Sequence, residues 1–157
     1  MTRHILIALD ESDSARKTVP FAATHLDKTH DITLLNVVPD TAAACGLDSP
    51  SLTPYFERER NSFCRMEERR QAIMSETLEQ AKADLVEAGF DEKKLRVLVK
   101  VQEKTIAGDI VHEAENGGYS MVVMGRKSST GIKDFLMGST VQKVLHSLAG
   151  TPLTIVS

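Results

Sequence analysis

Apolar positions fall along this chain in two alternating rhythms. The first is a set of short continuous runs: His4 to Leu9 (HILIAL) ending at Asp10, and Ile32 to Val38 (ITLLNVV) ending at Pro39. Met121 to Met124 (MVVM) stops at Gly125, and Leu153 to Val156 (LTIV) follows Gly150 and Pro152. Runs of this length between turn residues read as strands buried on both faces, as in a parallel sheet. Leu95 to Val101 instead alternates, with Leu95, Val97, Val99 and Val101 apolar, as suits an edge strand.

The second rhythm has helical spacing. Val19, Ala22, Ala23 and Leu26 make one stripe behind Ser12, Asp13 and Ser14, which can cap a helix. Pro20 inside that stripe is expected to kink the helix or shift its start. Met74, Leu78, Ala81 and Leu85 make the core face of a long helix from about Glu57 to Ala88, stopped by Gly89. Its upstream part, ERERNSFCRMEERR, carries mostly charge and reads as a solvated or partner-facing extension. A short helix spans Thr105 to Glu115, and another runs from Ser139 to about Leu148 with Val141, Val144, Leu145 and Leu148 inward. Ser139 and Gln142 have capping-box spacing. Residues 39–56, with Pro39, Gly46, Pro50 and Pro54, are expected to form a long irregular loop, functional or mobile.

The resulting order, β-α-β-(loop)-α-β-α-β-α-β, implies an α/β fold: a parallel sheet doubly wound with right-handed crossovers. Ligands of such sheets bind beyond the strand C-terminal ends, where strand order reverses. Asp10, Val37-Val38 and Gly125 all fall on that edge.

Length and charge narrow the picture. The chain has 157 residues, expected as a single domain over 1–157, and a net charge of −3 from 19 basic and 22 acidic residues. Neither a nucleic-acid partner nor a membrane is expected, since there is no basic excess and no apolar run of roughly 18 residues. No signal-peptide pattern precedes Ile5. Cys45 and Cys64 are too few and too isolated for a disulfide framework or a CxxC site, so a reduced, cytoplasmic setting is the expectation. The five histidines show no metal-ligand spacing and read as surface or helix-face residues, and the six methionines read as core or loop gap-fillers.

The stretch from Tyr119 to Thr140, YSMVVMGRKSSTGIKDFLMGST, carries the candidate chemistry. It reads as a buried strand, a basic loop with Arg126, Lys127 and Lys133, and a helix start at Gly138-Ser139-Thr140. Free N–H groups at a helix N-terminus, with the positive end of its dipole, suit an anion. Gly125 lets the backbone approach a ligand where a Cβ would obstruct it. Neither a Walker A motif nor a GxSxG elbow is present, so neither P-loop ATPase nor α/β-hydrolase chemistry is implied.

ILIALDESDSA, LLNVV, VVMGRKSSTGIKDFLMGSTVQKVL and TPLTIVS together resemble the universal stress protein (UspA-like) family over essentially the whole chain. That resemblance implies a Rossmann-like, adenine nucleotide alpha hydrolase-like fold: a five-stranded sheet of order 3-2-1-4-5, dimeric through its last strand. The nucleotide-binding branch carries G-x2-G-x9-G-[S/T]. Gly125 and Gly138-Ser139 match, and Ser128 stands at the second glycine. A serine there costs energy if the position needs positive φ or a close phosphate approach, and adds a donor if φ is ordinary. Carried over by position, Asp10 and Val37 meet the adenine side and Met124 and Gly125 line the ribose, with their neighbours Ala8, Leu9 and Val38 included among the candidate binding residues. Ser128, Gly138, Ser139, Thr140 and Val141 meet the phosphates, with Arg126 beside them.

The expected function is a regulatory sensor binding ATP or AMP, with Mg2+ accompanying a triphosphate through its own oxygens. Catalytic residues and protein metal ligands are not expected; at most slow ATP hydrolysis is. The alternative is a nucleotide-free dimeric stress protein that meets an unknown protein partner through the 39–70 insertion.

Overall fold

The computed structural model describes residues 1–9, 12–46, 53–126 and 137–157. Five strands form one all-parallel sheet: β1 (His4–Ala8), β2 (Asp31–Val38), β3 (Leu95–Val101), β4 (Met121–Gly125) and β5 (Leu153–Val156), in the order β3-β2-β1-β4-β5. The order and the parallel pairing agree with the sequence reading. β1, β2, β4 and β5 fall where continuous apolar runs were found, and the alternating segment Leu95–Val101 forms β3 at the edge of the sheet with Val99 and Val101 exposed.

Alternation divides the core in two. Ile5 and Ile7 of β1 and Leu9 just beyond it, with Ile32, Leu34 and Val123, meet α1 (Ser12–His25) and the C-terminal half of α3 (Pro54–Glu87). Leu6, Ala8, Leu35, Val37, Val122 and Met124 meet α4 (Ile106–Asn116) and α5 (Ser139–Ser147) on the opposite face. Met74, Leu78, Ala81 and Leu85 are buried on α3, as their spacing predicts. The chain winds outward from β1 through β2 to β3, then crosses back to β4 and β5. Winding direction therefore reverses at the β1–β4 neighbour pair, where Ala8 stands opposite Met124.

Several expectations are corrected. Residues 39–56 are not one irregular loop: α2 (Ala42–Cys45) forms within them, and α3 begins at Pro54. Thr53 caps α3 by accepting from the Phe56 N–H at 3.5 Å, and Pro54 occupies the first turn, where its missing N–H costs nothing. Thr-Pro is thus a helix start that resembles loop punctuation. Pro20 does not delay α1 to the proline, since α1 runs from Ser12 to His25 around it. Leu145 is 45% exposed rather than inward. Met66 is exposed too, so it fills no gap, and His4 sits on β1, donating or accepting at the Thr33 hydroxyl (2.8 Å) and packing against the Tyr119 ring.

The cysteines are also corrected. Cys45 and Cys64 form a disulfide with a Cα–Cα distance of 5.8 Å. Their spacing of 19 residues says nothing about proximity; the packing of α2 beside α3 creates it. Among the described residues, no helix is long and apolar enough to cross a membrane.

Candidate functional site

The site grows from the end of β4. After Gly125 the Arg126 N–H donates to the Val156 carbonyl of β5 at 2.8 Å, extending the ladder by one bond. The Arg126 carbonyl accepts in turn from the Gly138 N–H, also at 2.8 Å. The chain therefore leaves the sheet at residue 126 and returns against the same residue at 138. This pins the start of α5 directly beyond β4.

Gly138 is the N-cap of α5, with φ −57° and ψ 147°, and it has no side chain to satisfy the first turn. The first intrahelical bond is Gln142 N–H to the Gly138 carbonyl at 3.0 Å. The N–H groups of Ser139, Thr140 and Val141 consequently have no acceptor among the described residues. Ser139 is the first helical residue rather than the cap, so the expected capping box with Gln142 does not form. Its hydroxyl is exposed, and the Thr140 side chain is half-buried beside it. Val141 is buried and offers the site only its backbone.

On the other side of the crevice, Ala8, Leu9 and Met124 are fully buried and Val37 nearly so. The Leu9 N–H bonds the Leu35 carbonyl at 2.8 Å, carrying the β1–β2 pairing past Ala8. Val38 is half-buried at the end of β2, its carbonyl accepting from the Gln102 N–H at 2.8 Å. The fold thus brings residues 8–9, 37–38, 124–126 and 138–141 to one edge of the sheet. Asp10, Ser128, Lys127 and Lys133 lie outside the described residues, as does most of the basic loop.

Sequence reasoning missed Asn36. It is 3% exposed, and its amide Nδ2 donates to the Leu9 carbonyl at 2.7 Å. It braces the residue just ahead of Asp10. A polar residue inside the apolar run LLNVV was the available signal, since a buried amide implies a specific partner.

The arrangement can hold an anion against an apolar floor. Three donor N–H groups, the Ser139 hydroxyl and the positive end of α5 face the exit of β4. The half-buried Arg126 has no carboxylate partner among the described residues. No group of three metal-ligating side chains occurs among the described residues.

A family model described as "Universal stress protein family" matches residues 1–157. The universal stress protein YxiE of Bacillus subtilis is 28% identical over 99% of both chains. Among solved structures, a universal stress protein from Archaeoglobus fulgidus in complex with dAMP superimposes with a TM-score of 0.61 at 18% identity, over 99% of this chain and 98% of that one. A family protein from Arabidopsis thaliana with AMP bound has the same TM-score at 15% identity, over 98% and 90%.

Proposed function

The chain belongs to the Universal stress protein family, and from that premise we propose that it is a regulatory domain binding ATP or AMP across the β1–β4 crevice. One observation carries the reading: α5 starts uncapped, its first turn held against the end of β4 by the Gly138–Arg126 bond. In this proposal the N–H groups of residues 139–141, the Ser139 hydroxyl and Arg126 take the phosphates. Met124 and Gly125 flank the ribose, and Ala8, Leu9, Val37 and Val38 underlie the adenine, with Asp10 and Ser128 completing the set from sequence position. Mg2+ would travel on the oxygens of a triphosphate. Relatives bound to dAMP and AMP support the nucleotide class.

The same reading includes a homodimer through β5, an outer strand of the sheet whose residues are all half-buried. It also assigns a cytoplasmic setting, and binding rather than turnover as the function.

The test is the nucleotide content of freshly purified protein, followed by calorimetric titration of ATP and AMP into wild type and Gly138→Asp. Aspartate is a favourable N-cap, so the variant is expected to fold at least as well while its carboxylate occupies the phosphate donors. Micromolar binding lost at least about tenfold in a fully folded variant is the expected result. An empty protein giving no heat with millimolar ATP would refute the site.

A further inference from the structure

The N-terminal half of α3 contributes no residue to the apolar core, and its one buried side chain is the polar Glu67. Residues 54–73 extend roughly 30 Å ahead of Met74, the first of its core-packed apolar residues. Five large apolar side chains on this segment stand in solvent, and besides Tyr55 at 64% exposure four of them fall in register: Phe56 at 59%, Phe63 at 47%, Met66 at 64% and Ile73 at 48%. Phe56, Phe63, Met66 and Ile73 are spaced seven, three and seven apart, which is heptad a and d spacing on one side of the helix. The two heptad positions between them are Glu59 and Arg70, both exposed.

Along this seam the order is apolar, acidic, apolar, apolar, basic, apolar. Read backwards, it is its own complement. When two copies run antiparallel with Phe63 opposite Met66 of the second copy, Glu59 meets Arg70 and Phe56 meets Ile73. Every pair recurs on the other side of the two-fold axis. Arg70 is already oriented by its intrachain bond from Nη1 to Glu67 Oε1 at 3.2 Å.

Two further features agree. Ile73 forms part of the wall of an open groove of about 610 Å³ between α1 and α3, with Ala15, Val19 and Pro20 opposite it. In the antiparallel pairing Phe56 of a second copy would fall opposite Ile73 at the edge of that groove; within the chain the Phe56 ring has Tyr55 edge-on to it at 5.8 Å. Cys64, at the centre of the segment, lies roughly 130° around the helix from the seam. The Cys45–Cys64 disulfide therefore straps α2 across the back of α3 and leaves the seam open.

We infer that α3 is a self-association surface, through which a second copy of this chain binds antiparallel along residues 55–73, separately from any pairing through β5. Self-complementary charge selects the second copy as occupant, because an unrelated partner has no need of a seam that mirrors itself.

Sedimentation velocity of the full chain over a concentration series tests this, using wild type, Met66→Glu, Glu59→Arg and Arg70→Glu, each checked for folding by circular dichroism. All three positions are exposed and outside the apolar core; Arg70→Glu also removes the partner of the buried Glu67, so its helix content by circular dichroism is compared with that of Glu59→Arg before the association data are read. Wild type is expected to show a concentration-dependent doubling of mass that Met66→Glu abolishes. Each charge reversal puts like charges opposite one another and weakens association about tenfold or more, and an equimolar mixture of the two restores it. A wild type that never doubles, or doubles equally in Met66→Glu, overturns the surface; the latter outcome assigns doubling to another interface such as β5. Loss in Met66→Glu without rescue in the mixture overturns the antiparallel pairing.

Discussion

Asn36 is one buried amide with one carbonyl to satisfy, and that carbonyl belongs to Leu9 at the lip of the proposed site. Asn36→Leu removes the donor and leaves the Leu9 carbonyl buried without that partner, at an expected cost of about 1–3 kcal/mol. Chemical denaturation measures the stability, and nucleotide titration should show weaker binding if the β1 exit loosens with it. Glu113 poses a different residue-scale problem. Burial pushes its carboxyl upward, but hydrogen bonds from Lys100 and Tyr119, with the Lys100 charge, outweigh burial and hold it below the ordinary glutamate range. A lowered folded-state value means the carboxylate stabilises the fold fully above the unfolded value. That contribution is lost as pH falls from there through the folded value. Wild type should therefore lose melting temperature more steeply than Glu113→Gln on acidification below about pH 4.5. Parallel acid profiles for the two proteins would remove this assignment.

At the scale of the element, α3 is one helix in two environments. Its C-terminal half is core: Leu78 is 1% exposed and Leu85 is fully buried. Leu78→Ala is expected to cost about 2–5 kcal/mol, whereas Arg69→Ala on the projecting half should stay within about 0.5 kcal/mol. The projecting half depends on its clasp instead. Closing the loop between Cys45 and Cys64 contributes about 3 kcal/mol by chain entropy. Because the core lies elsewhere, reduction should act locally: amide exchange in residues 54–66 rises by about a hundredfold while the core helices keep their protection. A uniform rise across all helices would show that the clasp belongs to the global fold.

For the molecule as a whole, the proposed ligand bridges elements that the sheet holds only at their ends. Binding to the native state alone stabilises it by mass action, about 2.7 kcal/mol at a hundredfold excess over Kd. ATP should thus raise the melting temperature of wild type and leave Gly138→Asp unchanged, which differential scanning fluorimetry reads directly. The N–H groups at the start of α5 and the strand ends at residues 8–9 and 37–38 should gain exchange protection together. Protection confined to one of them would argue against a ligand spanning the crevice.

Sequence alone determined the five strands and every α-helix except α2. Val122 and Val123, or Leu34 and Leu35, can be adjacent and apolar only where both faces are covered, and Met74, Leu78, Ala81 and Leu85 can share a face only on a helix. It also placed Gly125 and Gly138-Ser139 on either side of the basic loop, because glycine and helix-start chemistry are local properties. Tertiary structure decided what depends on proximity. It paired Cys45 with Cys64, set Asn36 under Leu9, and made Gly138 rather than Ser139 the cap of α5. It also left Phe63 and Met66 outside the core that the rest of α3 enters. Periodicity reports which side of an element is apolar, but only the packed chain determines whether anything lies against that side.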